Sequence, residues 1–168
     1  MKLLESMKKF IQNIMRALGG TQQNVSCEPK MNEVKRDMGE TYLLNMEYRD
    51  FEKWVDTALA VELPENIEAF CFNLYEDFNP YDDGKKLYSV EIIGSPSFDE
   101  TDEDWACDEV FNNRAYPLCW KSDKSWEGVL EEMRGLVWRY LREGKYASLL
   151  RSKQAVAIGF VDGDIELL

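Results

Sequence analysis

Residues 66–94 read NIEAFCFNLYEDFNPYDDGKKLYSVEIIG, and the hydrophobic pattern of this segment predicts the centre of a β-sheet. In Asn66–Glu76 the apolar side chains of Phe70, Phe72 and Leu74 occupy every second position, which is the spacing of a β-strand. The positions between them also include apolar residues. A strand that is apolar on both faces is typical of the middle of a sheet.

A turn and a second strand follow the first. The segment 78–86 contains a proline, a glycine and the acidic pair Asp82 and Asp83, all of which favour turns. Leu87–Gly94 again has the composition of a strand. We expect the two strands to pair as an antiparallel hairpin with a long loop.

The rest of the chain predicts helices and further strands around this hairpin. Pro117 places the candidate strand Ala115–Trp120 at a sheet edge or bulge, because proline cannot donate a ladder hydrogen bond. Helical spacing over Trp126–Leu141 predicts the helix that covers the sheet. The remaining predictions are a helix over about Tyr48–Ala60, a helical turn over Asp108–Asn113, a short helix over Lys145–Lys153, and C-terminal strands over Ala155–Val161 and Ile165–Leu168.

The order of these elements predicts an α+β protein. We expect an antiparallel sheet of about four or five strands with helices packed on one face, plus an N-terminal amphipathic helix. The domain organisation is predicted as a basic amphipathic helix over residues 1–20, a linker with a short helix over 21–40, and a single α+β domain over 41–168.

Charge is distributed unevenly along the 168 residues. The net charge is −12, and residues 61–120 carry fifteen acidic and only three basic side chains, whereas the flanking thirds are each balanced. A field of this sign repels nucleic acid and anionic membranes and attracts basic proteins. An acidic surface also keeps a protein soluble, so solubility alone is the competing explanation.

The acidic surplus is concentrated in residues 98–109, FDETDEDWACDE. This run contains no Lys or Arg, and its like charges need water, a cation or a basic partner nearby. Trp105 at its centre would supply buried area at an interface, or alternatively would pack into the core. The predicted partner-binding residues are Asp99, Glu100, Asp102, Glu103, Asp104, Trp105, Asp108 and Glu109, with Asp82 and Asp83 nearby.

Several kinds of chemistry are excluded. The chain contains no histidine, which removes imidazole catalysis and the usual Cys/His zinc sites. It also lacks the glycine-rich phosphate-binding motifs and the GxSxG nucleophile motif. We therefore predict no catalytic residues, no cofactor and no metal. A carboxylate-based or divalent-metal-dependent enzyme, and an adaptor that docks through the basic N-terminal helix, remain as alternatives.

The cysteines and the N-terminal segment provide information on the cellular location of the protein. None of the four cysteines forms a CxxC pair, and the N-terminal segment lacks the continuous apolar stretch of a signal peptide. We predict a cytoplasmic protein that is not inserted in a membrane, and the sequence leaves its oligomeric state open.

A small, acidic, histidine-free α+β protein with this loop and the ending AVAIGFVDGDIELL resembles the immunity proteins of bacterial polymorphic toxin systems. The resemblance is one of general character and not of aligned motifs. It implies a cytoplasmic inhibitor that binds a cognate basic toxin, such as a nuclease, and blocks its active site.

Overall fold

The computed structural model describes residues 46–78 and 84–168. The predicted N-terminal helix, the linker, and Asp82 and Asp83 lie outside these residues. The helices are α1 (Tyr48–Ala58), a 3₁₀ helix (Glu103–Cys107), α2 (Trp126–Glu143) and α3 (Ala147–Arg151), and the strands are β1 (Ala69–Asp77), β2 (Lys86–Ser95), β3 (Phe111–Asn112), β4 (Leu118–Ser122), β5 (Ala155–Phe160) and β6 (Ile165–Leu167).

The predicted hairpin is present, and it forms the centre of the sheet. Strands β1 and β2 pair antiparallel from Ala69 opposite Ser95 to Asp77 opposite Leu87. The strand order in the described sheet is β3-β2-β1-β5-β6, and β4 pairs with the part of β2 that β3 leaves open. The central position predicted for the first strand is therefore confirmed, and the α+β class is confirmed with it.

The prediction of a wholly antiparallel sheet is wrong, because one pair of strands is parallel. Strand β5 lies beside β1 in parallel register, with Ala69 opposite Ala155 and Leu74 opposite Phe160. A parallel neighbour requires a crossover connection, and here the chain between β1 and β5 returns through β2, β4 and the two helices α2 and α3. The sheet is mixed.

The larger core lies between the sheet and the helices. Alternate residues of β1, which include Phe70 and Phe72, point to this face and are fully buried. Helix α1 contributes Phe51, helix α2 contributes Met133 and helix α3 contributes Leu150 to the same cluster. The described α-helices thus all pack into one core on one face of the sheet, and the expected covering helix is α2.

The opposite face of the sheet has a smaller cluster of its own. It contains Cys71 from β1, Ile93 from β2 and Ala157 from β5, all buried. The predicted helical turn over Asp108–Asn113 is wrong. The turn lies earlier, in the 3₁₀ helix. Its packing on this second face explains the shift, because Trp105 and Ala106 are the side chains that become buried, and both precede the predicted turn.

Candidate interaction site

Trp105 fixes the acidic run to the sheet. Its side chain is only 5% exposed, and it packs on the second-face cluster together with Phe98, whose ring meets the indole edge-on at 5.5 Å. The backbone is held as well, since the Ser95 hydroxyl donates a buried hydrogen bond of 2.8 Å to the Trp105 carbonyl. The run 99–109, which we call the acidic loop, is therefore anchored at its middle.

This anchoring hydrogen bond gives a testable expectation. Replacing Ser95 by alanine removes two hydrogen bonds, the one its hydroxyl donates to the Trp105 carbonyl and the one it accepts from the Ser97 amide, and we expect the free energy of unfolding to fall by about 1–2 kcal/mol. The Trp105 carbonyl keeps a 3.2 Å bond from the Asp108 amide in this variant. The measurement is urea denaturation. Ser97→Ala is the matched control because the Ser97 side chain makes no such bond in the described structure, and it should change stability by less than about 0.5 kcal/mol. Equal losses in both variants would contradict the anchoring role.

The carboxylates of the acidic loop surround this anchor and face solvent. All seven of the predicted acidic residues within it are exposed. Among the described residues, no Lys or Arg forms an ion pair with six of them, which are Asp99, Glu100, Asp102, Glu103, Asp104 and Asp108. The structure thus leaves these six predicted acidic side chains exposed and without a basic partner among the described residues.

Glu109 differs from the other acids of the loop because it is neutralised. The Arg114 guanidinium lies 2.5 Å from one Glu109 oxygen and also makes two bonds of 2.9 Å to the carboxylate of Glu91 on β2. Glu91 is only 1% exposed and accepts a further hydrogen bond from the Tyr75 hydroxyl. This network ties the end of the acidic loop to the middle of the sheet.

The network affects ionisation in two places. Burial works against the charge of Arg114, but the hydrogen bonds to Glu91 and Glu109 outweigh it and raise the pKa of the guanidinium. Burial and the hydrogen bond to Glu91 both raise the pKa of the Tyr75 hydroxyl. Arg114 therefore stays charged and Tyr75 stays neutral at physiological pH.

Within the loop itself, short-range hydrogen bonds set the backbone. Asp99 accepts bonds from the Thr101 amide at 2.8 Å and the Thr101 hydroxyl at 2.7 Å, and these bonds lower the pKa of the Asp99 carboxyl. Asp102 caps the 3₁₀ helix by accepting from the Asp104 amide at 3.1 Å. Glu103 accepts from the Ile165 amide at 3.2 Å, which connects the loop to β6.

The ionisation of the Cys107 thiol is also affected by burial and by nearby charges. Its partial burial raises the pKa of the thiol, and the charges of the neighbouring Asp104, Asp108 and Glu109 raise it further. A thiol of this kind is largely protonated at neutral pH and is a poor nucleophile.

The structure buries one member of the predicted contact surface, and two other members lie outside the described residues. Trp105 is a buried packing residue, so of the two alternatives given for it the core position is the one observed. A tryptophan in the middle of an acidic stretch fits either position, and only the small residues of the second face show which it takes. Asp82 and Asp83 lie outside the described residues.

Three residues of the site were missed at the sequence level, namely Tyr75, Glu91 and Arg114. Two signals pointed to them. Glu91 interrupts an otherwise apolar strand, and Arg114 is the single basic residue between Lys86 and Lys121. A buried charge requires a partner, so these two residues were candidates for each other.

In the part of the chain that the structure describes, no group of three or more Cys, Asp or Glu side chains is arranged to hold a metal ion. No helix of that part has the length and apolar character needed to cross a bilayer. No protein-family model, curated protein or solved structure matches this chain. The resemblance to immunity proteins therefore stays a prediction.

Proposed function

We propose that this chain is a small cytoplasmic binding protein, not an enzyme, that inhibits a basic partner protein through the acidic loop. The observation that carries the proposal is the set of six exposed carboxylates that have no basic partner among the described residues, in a loop that is anchored by buried Trp105. Together with the general resemblance stated above, this surface supports an immunity protein for a cognate toxin, such as a nuclease.

Two physical features of the loop suit it to this role. Its unpaired carboxylates create a negative field that speeds the encounter with a cationic surface. The buried Trp105 and the Glu91–Arg114–Glu109 network hold the loop before the partner arrives, so less conformational entropy is lost on binding. A nuclease cleft is a fitting partner because its Lys and Arg side chains bind phosphates, and carboxylates can occupy the same positions.

The test requires a candidate partner, and the proteins to be screened for one are the basic products of the genes adjacent to the gene for this chain. We expect the full-length chain to bind its partner with an affinity that falls steeply as salt rises. The triple variant Asp102→Asn/Glu103→Gln/Asp104→Asn should weaken binding about 100-fold or more, because each lost charge pair at an interface costs about 1 kcal/mol or more. Isothermal titration calorimetry at several salt concentrations measures both effects.

A matched triple variant controls for the change in total charge. Glu47→Gln/Asp123→Asn/Glu131→Gln removes the same number of negative charges from exposed positions outside the acidic loop. We expect it to retain nearly the full affinity. If the two triple variants weaken binding equally, net charge and not the acidic loop determines the affinity. If neither affects binding, the acidic loop is not the contact surface.

A further inference from the structure

A cleft of about 420 Å³ lies beside the C-terminal end of α2, and none of its lining residues belongs to the acidic loop. It is bounded by the end of α2, by α3, by the first residues of β5 and by Leu168. Three basic side chains line it, namely Arg142, Arg151 and Lys153, and no acidic side chain of the described residues does. In a chain with a net charge of −12, a cleft whose charged side chains among the described residues are all basic is unusual.

These three cations have no carboxylate partners among the described residues. Five other Lys and Arg side chains of the described part form ion pairs there, whereas Arg142, Arg151 and Lys153 do not. One of them is held in place by the backbone, since the Arg151 guanidinium donates a 2.8 Å hydrogen bond to the Leu141 carbonyl. Positive charge is thus left available at the cleft in a molecule with an excess of carboxylates.

Apart from Gln154, the remaining residues that line the cleft are apolar. Leu141, Leu150 and Val156 are buried side chains that line it. Trp138 lines it as well, one helical turn before Arg142, and its side chain remains 44% exposed. Basic side chains near a helix C-terminus interact favourably with the helix dipole. This interaction explains why Arg142 and Arg151 occur where they do, but it explains neither Lys153 nor the exposed indole of Trp138.

We infer that this cleft binds a small organic anion that carries an apolar or aromatic body. The volume falls in the range of small-molecule sites, which are concave and mostly apolar with a few convergent polar groups. The anionic group would pair with the Arg and Lys side chains, and the body would pack on Trp138 and the aliphatic wall. This site is separate from the acidic loop and does not depend on the function proposed for that loop.

Phenyl phosphate is a suitable probe because it combines an anionic group with an aromatic ring. Inorganic phosphate supplies only the anionic group, and benzyl alcohol supplies only the aromatic ring. Titrations of the full-length chain followed by calorimetry should show the tightest binding for phenyl phosphate. The double variant Arg142→Gln/Lys153→Gln should lower its affinity about tenfold or more, since a hydrogen bond to a charged group contributes about that factor. Trp138→Ala should reduce the affinity for phenyl phosphate to that for inorganic phosphate.

The control uses a second cleft that also contains cations. Lys53 and Lys145 line a cleft beside α1 in which Glu52 and Asp56 are also present, and Lys53→Gln/Lys145→Gln should leave phenyl phosphate binding unchanged. The inference is overturned if phenyl phosphate does not bind at millimolar concentration, or if both double variants weaken it equally. It is also overturned if a hexaglutamate peptide binds the same cleft more tightly, because the occupant would then be an acidic protein segment.

Discussion

Replacing Trp105 by alanine is expected to lower the free energy of unfolding by about 3–5 kcal/mol, the usual cost of truncating a buried tryptophan. Its side chain is 5% exposed and fills the cluster on the second face of the sheet. The alanine variant leaves a cavity above Cys71, Ile93 and Ala157. Urea denaturation measures this loss of stability. The dependence of the free energy of unfolding on urea concentration should have the same slope in both proteins, because the same surface is exposed on unfolding.

The same variant separates the anchor from the contact surface. Because the carboxylates are unaltered, we expect Trp105→Ala to keep the salt dependence of partner binding while weakening the affinity, since the loop must then be ordered on binding. Trp138→Ala is the matched control for stability, because that tryptophan is 44% exposed and should cost only about 1 kcal/mol. Similar losses of stability in the two variants would show that Trp105 is not an anchor.

Removing Arg114 is expected to have the second largest effect. Arg114→Ala leaves the carboxylate of Glu91, which is 1% exposed, without its two charge-assisted hydrogen bonds. Breaking a buried pair from one side costs about 3–5 kcal/mol. The Arg114 side chain is 50% exposed, so that water can partly replace it, and we expect a loss of about 2–3 kcal/mol.

A rescue experiment identifies the cause of that loss. If the unpaired carboxylate is responsible, adding Glu91→Gln to Arg114→Ala should recover about half of the stability or more, because a neutral amide costs less to bury than a charge. Arg139→Ala removes an exposed pair with Glu143 and should cost less than about 1 kcal/mol. A double variant that is no more stable than Arg114→Ala would contradict this explanation, and the role of Arg114 would then be in packing.

The elements that the sequence predicts correctly are those set by local patterns. The hairpin follows from the alternation around Phe70 and Phe72 and from the turn residues after Asp77. The helix Trp126–Glu143 follows from helical spacing and from Ser125, which caps it by accepting from the Gly128 amide. Each of these signals lies within a few residues of the structure that it determines.

The parallel pairing of β5 could not be predicted in the same way. Its sequence AVAIGF is apolar throughout, and an apolar strand can join a sheet at either side and in either direction. The direction is set by the path of α2 and α3 across the sheet, which is a property of the folded chain. Adjacency in sequence favoured only the hairpin with β6, and that pairing is present.

The acidic part of the candidate site could be predicted because the charged residues can be read directly from the sequence. The exposed acids from Asp99 to Glu109 follow from the density of carboxylates alone. The orientation of Trp105 depends on which residues of other strands lie opposite, and no local pattern contains that information. The pairing of Glu91 with Arg114 is suggested only by a charge within a mostly apolar strand and by the scarcity of basic residues nearby. The basic cleft was missed because its cations come from α2, from α3 and from the connection between α3 and β5, and only the fold shows that they line one cleft.

The parallel neighbour of β1 also has a consequence for biosynthesis. Strand β1 ends at Asp77 and β5 begins at Ala155, so the ribosome must release more than seventy further residues before the second edge of β1 can be covered. During that interval the nascent polypeptide displays an apolar strand with unpaired amide and carbonyl groups, which is a template for misassociation. The slow step of maturation should therefore be the docking of β5, and chaperones that shield extended apolar segments should act on this chain before that step.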